Sequence, residues 1–296
     1  MGVKSSVLPR SLGALLILAA ISVPLMVPST VAAAGAADAQ TATDDAAAVA
    51  GAPDDAAARA ARWQDLGQAL FGARRLEDGS DWIAIEAPGR ALDAALVPVS
   101  LTLSGNRDIQ GIYLVIDENP GPLAGHFTFG PQADPHSLKL RVRVNAYTNI
   151  HAVVETRDGR LYSAVRFVKA AGGCSAPAGG DLQQAMQELG HIKLRLLEPF
   201  AAGKPLSARL MIRHPNFNGM QMDQLTRLYT PAMFIRTIDV NYNGSQVLHL
   251  DSDISLSADP VIEFGFIPTG KGRLQVLVRD TKDASFGESF DVPPQG

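Results

Sequence analysis

Three features predict an all-β protein of two antiparallel β-sandwich domains joined by a glycine-rich linker that bears a cysteine. Apolar and polar residues alternate over short runs, tight-turn dipeptides separate those runs, and no long helical period intervenes. With 296 residues the chain is long enough for two such domains, and 46% of it is hydrophobic. The 26 basic and 30 acidic residues leave a net charge of -4 and no basic stripe, which argues against a nucleic-acid partner.

Residues 1–39 read as an export signal: Lys4 and Arg10 supply the positive start, Leu12 to Val27 the apolar run, and an alanine-rich stretch the end. Cleavage after Ala34 or Ala39 fits, with a retained anchor as the alternative. A periplasmic location is therefore expected. Residues 40–61, rich in Ala and Asp, are expected to be a disordered spacer. Trp63, Leu66, Leu70 and Phe71 then recur at helical intervals and predict a short amphipathic helix.

Beyond it the period becomes two. Val97, Val99, Leu101 and Leu103 alternate with Pro98, Ser100, Thr102 and Ser104, and Leu138, Leu140, Val142 and Val144 alternate with Lys139, Arg141, Arg143 and Asn145. Such strands have one buried and one solvated face. Residues 111–117 and 126–129 predict further strands, and Asp158-Gly159 predicts a hairpin turn between strands at 151–156 and 161–168. This first domain is placed at 62–169.

The linker, 170–181, holds Cys174, the chain's one cysteine. Gly172, Gly173, Gly179 and Gly180 lack the Cβ that restricts φ, and Ser175 and the alanines add little bulk, so the segment is expected to stay mobile and to present the thiol. A lone thiol can also be a small buried hydrophobe, but here its neighbours are glycine and serine rather than the branched residues of a core. In an oxidising compartment one cysteine has no partner in its own chain, which suggests covalent partnership with another molecule or protection by a reducing system.

The second domain, 182–296, opens with a short helix striped by Leu182, Ala185, Met186 and Leu189. Strands follow at 191–197 and 206–213, then a hairpin at Asn243-Gly244 between 235–242 and 246–250, then strands at 254–256, 261–267 and 273–280. The six histidines lack metal-ligand spacing, and neither a nucleophile elbow, a phosphate loop nor a dinucleotide fingerprint is present, so no metal, cofactor or catalytic residue is expected.

The chain resembles the SoxY and SoxZ subunits of the periplasmic sulfur-oxidation carrier, joined in one polypeptide. The first half carries Ala87-Pro88, Val97-Pro98-Val99, Asn119-Pro120 and Gly172-Gly173-Cys174. The second carries His214-Pro215, Pro231 to Ile235, Tyr242-Asn243-Gly244 and Ser255 to Pro260. It is most similar to the fused SoxYZ-like carriers associated with quinoprotein dehydrogenases. The resemblance implies immunoglobulin-like domains and a carrier of thiosulfate-oxidation type. Cys174 would be the covalent attachment point for a sulfur-containing intermediate, visited by Sox-type enzymes or a quinoprotein dehydrogenase.

The sequence departs from the pattern after the cysteine. Ser175-Ala176-Pro177 and a whole domain follow, where the two-subunit carrier ends, so this arm is held at both ends and reaches less far. The alternative reading is a non-covalent accessory module of a periplasmic dehydrogenase, with Cys174 incidental.

Overall fold

The computed structural model describes residues 55–176, 182–223 and 226–293. The expected signal segment, most of the spacer, and Gly179 and Gly180 lie outside them. Helix α1 (Ala56–Phe71) starts six residues before the expected boundary at 62. Asp55 caps it by accepting a 2.8 Å hydrogen bond from the Ala57 amide, and the alanines that follow are the strongest helix formers, so the end of the expected spacer is helical.

The first half then contributes β1 (Leu76–Asp78), β2 (Ile83–Glu86), β3 (Val97–Leu103), β4 (Ile109–Ile116), β5 (Leu123–Phe129), β6 (Ala133–Val142), β7 (Thr148–Thr156) and β8 (Leu161–Val168). After the cysteine segment come α2 (Leu182–Gln187), β9 (Ile192–Leu196), β10 (Leu206–Ile212), β11 (Ile235–Tyr242), β12 (Ser245–Ser252), β13 (Val261–Phe266), β14 (Gly272–Asp280) and β15 (Ser285–Val292). The all-β sandwich architecture is as expected, and both predicted hairpins form. Asn243 and Gly244 both take positive φ (50° and 80°), the backbone a two-residue turn needs.

Three strands were not anticipated: β1 and β2 are only three and four residues long, and β15 alternates weakly, with a single buried residue at its end. The expected strand at 254–256 is instead a turn touching β6 through a single Leu256–Val142 bridge.

The two halves are not beads on a thread. The strands form a nine-stranded sheet in the order β1-β8-β7-β4-β5-β12-β11-β14-β15 and a six-stranded sheet in the order β2-β3-β6-β13-β10-β9. Each sheet therefore crosses from one half to the other, by antiparallel pairing of β5 with β12 and of β6 with β13. At these crossings Leu250 faces Phe127 and Phe264 faces Leu138, all four buried. One apolar cluster runs without a break through both halves. Helix α1 covers the outer face of the larger sheet, where Phe71 packs with Val153 and Leu161, and Trp63 stacks on His151 at 3.6 Å.

A shared core makes the halves one cooperative unit. Leu250→Ala, which opens a cavity at the crossing, should cost about 2–5 kcal/mol, and calorimetry should still show one transition. Two separable transitions, with only the second half destabilised, would contradict this.

Candidate functional site

The site is built where the edges of the two halves meet, beside the end of β6. The strand stops at Val142, and Arg143 and Val144 no longer follow its alternation: residues 142, 143 and 144 are all buried. Arg143, expected on a solvated face, is 2% exposed. The turn at Asn119 arranges this. Its side-chain amide donates to the Arg143 carbonyl at 2.7 Å and to Ser255 Oγ at 2.8 Å, while its oxygen accepts from the Asn145 amide at 2.8 Å. The Arg143 amide donates to the Ser255 carbonyl, which binds the second half to the first.

From the other side, Asn216 takes a positive φ (45°), donates to the Ser257 carbonyl at 2.7 Å and accepts from the Ile235 amide at 3.0 Å. Its own carbonyl accepts from Arg143 Nη2 at 3.3 Å. Segments far apart in sequence thus meet at Arg143: those at Asn119 and Ser255 bond its backbone, and that at Asn216, itself held by Ile235 and Ser257, takes its guanidinium.

The cysteine segment is docked into this junction. The Gly172 amide donates to the Asn145 carbonyl at 2.8 Å and the Gly173 amide to that of Val144 at 3.0 Å, so the arm lies along the chain that follows β6. Gly172 has φ +74°. At Gly173 a Cβ would collide with the carbonyl oxygens of Ala94 and Val144, so only glycine lets the backbone lie this close. The Gly173 carbonyl accepts from Arg143 Nη1 at 3.4 Å, and the Cys174 carbonyl accepts from the Asn218 side-chain amide at 2.7 Å. The turn closes with the Ala176 amide donating to the Gly172 carbonyl.

Cys174 is consequently 0% exposed, although Ser175 beside it is exposed. This corrects the expectation of an exposed thiol. The small residues of the arm do not keep it free; they let its ascending limb fit the slot between Ala94 and Val144. Glycine and serine neighbours did not signal exposure, because the burial is supplied by Arg143, Asn218 and the 87–96 loop. Burial pushes the thiol up to about 11, with the Arg143 guanidinium opposing in part. The same burial lowers Arg143 from its ordinary value. In this conformation Cys174 is a protonated, shielded thiol and a poor nucleophile.

Of the predicted site residues, the structure brings Gly172, Gly173, Cys174 and Ser175 together at the junction. Arg143, Asn216 and Asn218 were missed. Arg143 stands in a run that alternates on paper, and its burial depends on a partner edge that sequence does not reveal. Next to the arm opens a cavity of about 750 Å3, lined by Ala176, Arg143, and residues of β9, β10 and the 87–96 loop. Among the described residues, no group of three or more His, Cys, Asp and Glu side chains could hold a metal ion.

The model for the sulfur oxidation protein SoxY matches residues 67–174, and that for the sulphur oxidation protein SoxZ matches residues 195–291. The chain belongs to the SoxY–SoxZ family, as a fusion of the two. The SoxY match ends on Cys174 itself. A solved structure of the sulfur carrier protein SoxY from Chlorobium limicola f thiosulfatophilum is 32% identical, with a TM-score of 0.33, over 38% of this chain and 94% of that one. A β-glycosidase structure from Bacteroides vulgatus is 11% identical, with a TM-score of 0.22, over 76% of this chain and 26% of that one. No curated protein matches the chain. The first half is hereafter called SoxY-like and the second SoxZ-like.

Two outcomes follow from this geometry. Gly173→Ala cannot seat the arm, so the rate of thiol modification by a disulfide reagent at pH 7.5 should rise by about tenfold or more, a shift of about 1.4 kcal/mol in the closed-to-open balance; an unchanged rate would contradict the docking. The second concerns pH. An unfolded thiol ionises near its ordinary value of 9.0 while the folded one waits until about 11, so the folded chain keeps its proton longer. The stability this gives is complete below pH 9 and is lost as pH rises through about 11, on the order of 3 kcal/mol. Unfolding measured across that range should show the slope, and Cys174→Ala should make it shallower, leaving the part due to Tyr113 and Tyr242, which burial also holds above their ordinary value.

Proposed function

We propose that this protein is a carrier in sulfur oxidation that bonds a sulfur-containing intermediate to Cys174 and presents it to partner enzymes in the periplasm. The carrier role accords with both family matches. The observation that carries the covalent reading is that the SoxY-like half ends on a lone cysteine seated where both halves contribute contacts, Arg143 from one and Asn218 from the other. Sox-type enzymes are the partners this reading favours, with a quinoprotein dehydrogenase system as an alternative.

The described geometry is the closed state of such a carrier. Loading requires the arm to leave its slot. It is held by a few backbone hydrogen bonds, one side-chain amide and one long contact from the Arg143 guanidinium, and it buries little apolar side-chain surface apart from the cysteine. Once in solvent the thiol regains its ordinary acidity and can act as a thiolate. Loading by exchange then needs no external oxidant: the Cys174 thiolate attacks one sulfur of a donor S–S bond. That bond breaks, its other sulfur departs with the electron pair as a thiolate, and Cys174 retains the new S–S bond. Release reverses these steps on a partner's thiolate.

The burial of the sulfur favours a second reading, in which Cys174 is a packing residue and the protein a non-covalent accessory module. Intact-mass measurement on protein purified from its natural host separates them. The carrier reading expects a mass adduct that disappears under reduction and is absent from Cys174→Ala, together with loss of sulfur-oxidation flux in that variant. Bare thiol throughout, with unchanged flux, would leave the packing reading standing.

A further inference from the structure

The cavity beside the arm has a composition that packing does not explain. Its walls include Ala95, Leu96, Met211, Ile212 and Val261, while the charged groups are Arg141, Arg143, Lys193, Arg213, Asp93, Glu188 and Asp259. Arg213 takes up two of the acids, at 3.2 Å to Glu188 and 2.8 Å to Asp259. Asp93 turns one carboxylate oxygen to the Ala95 amide at 2.8 Å and makes no ion pair among the described residues. Arg141 and Lys193 likewise form no ion pair with a carboxylate of the cavity, and the Asp93 carboxylate acts on the Arg143 guanidinium through space without forming an ion pair among the described residues.

Arg143 is the telling member. A buried guanidinium is normally paired, because removing its charge from water is costly. This one is 2% exposed, its Nη atoms reach only backbone carbonyls at 3.4 and 3.3 Å, and its Nε has no acceptor. It also lines the cavity. A volume of about 750 Å3 falls within the roughly 300–1,000 Å3 of small-molecule sites and exceeds the needs of a bare inorganic ion.

We infer that this cavity binds a small organic oxyanion, its acidic end against Arg143, Arg141 and Lys193 and its apolar body against Leu96, Met211 and Val261. The anion arrives either free or as a group attached to Cys174, since Ala176, two residues on, forms part of the wall. The attached form rests on the carrier reading; the free form does not.

Each source has its own test on the full chain. For the free form, Cys174→Ser protein is titrated by calorimetry at fixed ionic strength with benzenesulfonate, inorganic sulfate and benzyl alcohol. Benzenesulfonate should bind saturably and more tightly than either of the others, and the exposed pair Arg141→Ala with Lys193→Ala should weaken it by about tenfold. For the attached form, Cys174 is converted in denaturant to mixed disulfides with 5-thio-2-nitrobenzoate or with neutral 2-thiopyridine, then refolded. The anionic adduct should melt higher than the neutral one, and the double variant should erase the difference.

A positive result in either arm supports the site and names the source. Sulfate binding as tightly as benzenesulfonate would overturn the organic ligand. No preference for the anion in either arm would overturn the site altogether, and would leave the carrier reading, which depends on the mass adduct, untouched.

Discussion

Backbone pairing across the junction, β5 to β12 and β6 to β13, is the constraint from which the rest of the molecule takes its shape. Side chains in a strand alternate with period two, so a one-residue slip at either crossing would turn Phe127, Leu250, Leu138 and Phe264 out of the core. Register is therefore fixed by burial on both sheets at once. The loops flanking these strands, at 117–122, 143–147 and 253–260, are brought to one place, where the Asn119 side chain bonds both the Arg143 carbonyl and the Ser255 hydroxyl. The slot for the ascending limb is formed by Ala94 and Val144 of the first half, and the second half closes over it with the Asn218 amide on the Cys174 carbonyl.

Much of the fold could be read from the chain because its strands have one wet face. Val97 to Leu103 alternates on paper and does so in space, in a buried-exposed pattern that runs the length of β3. The Asn243-Gly244 turn was legible for a similar local reason, since both residues accept positive φ. What failed to show were features whose cause is distant. Strands β1 and β2 are too short to display a period, and the edge strand β15 has little to bury. The pairing of the two halves leaves no sign in either taken singly.

The site divides in the same way. Cys174 and its glycines stand out in sequence, and they do converge in space. Their environment inverted the expectation, because small residues permit close docking as readily as they permit freedom. At Gly173 the missing Cβ serves contact with two carbonyls. Arg143 sits in a run whose alternation assigns it to water, and only the arrival of Asn216, Ser255 and the arm encloses it. A buried charge thus marks the place where three separate segments close over the end of one strand.

The twin sheet crossings carry one more consequence, for what the peptide link between the halves does. Ala176 and Leu182 bracket that link, yet the strands on either side are already zipped together by ladders and a shared interior. A protease that nicked the chain between those two residues would therefore release no fragment. The cut pieces would stay assembled as one particle, and the severed arm would gain a free end without loss of the scaffold that receives it.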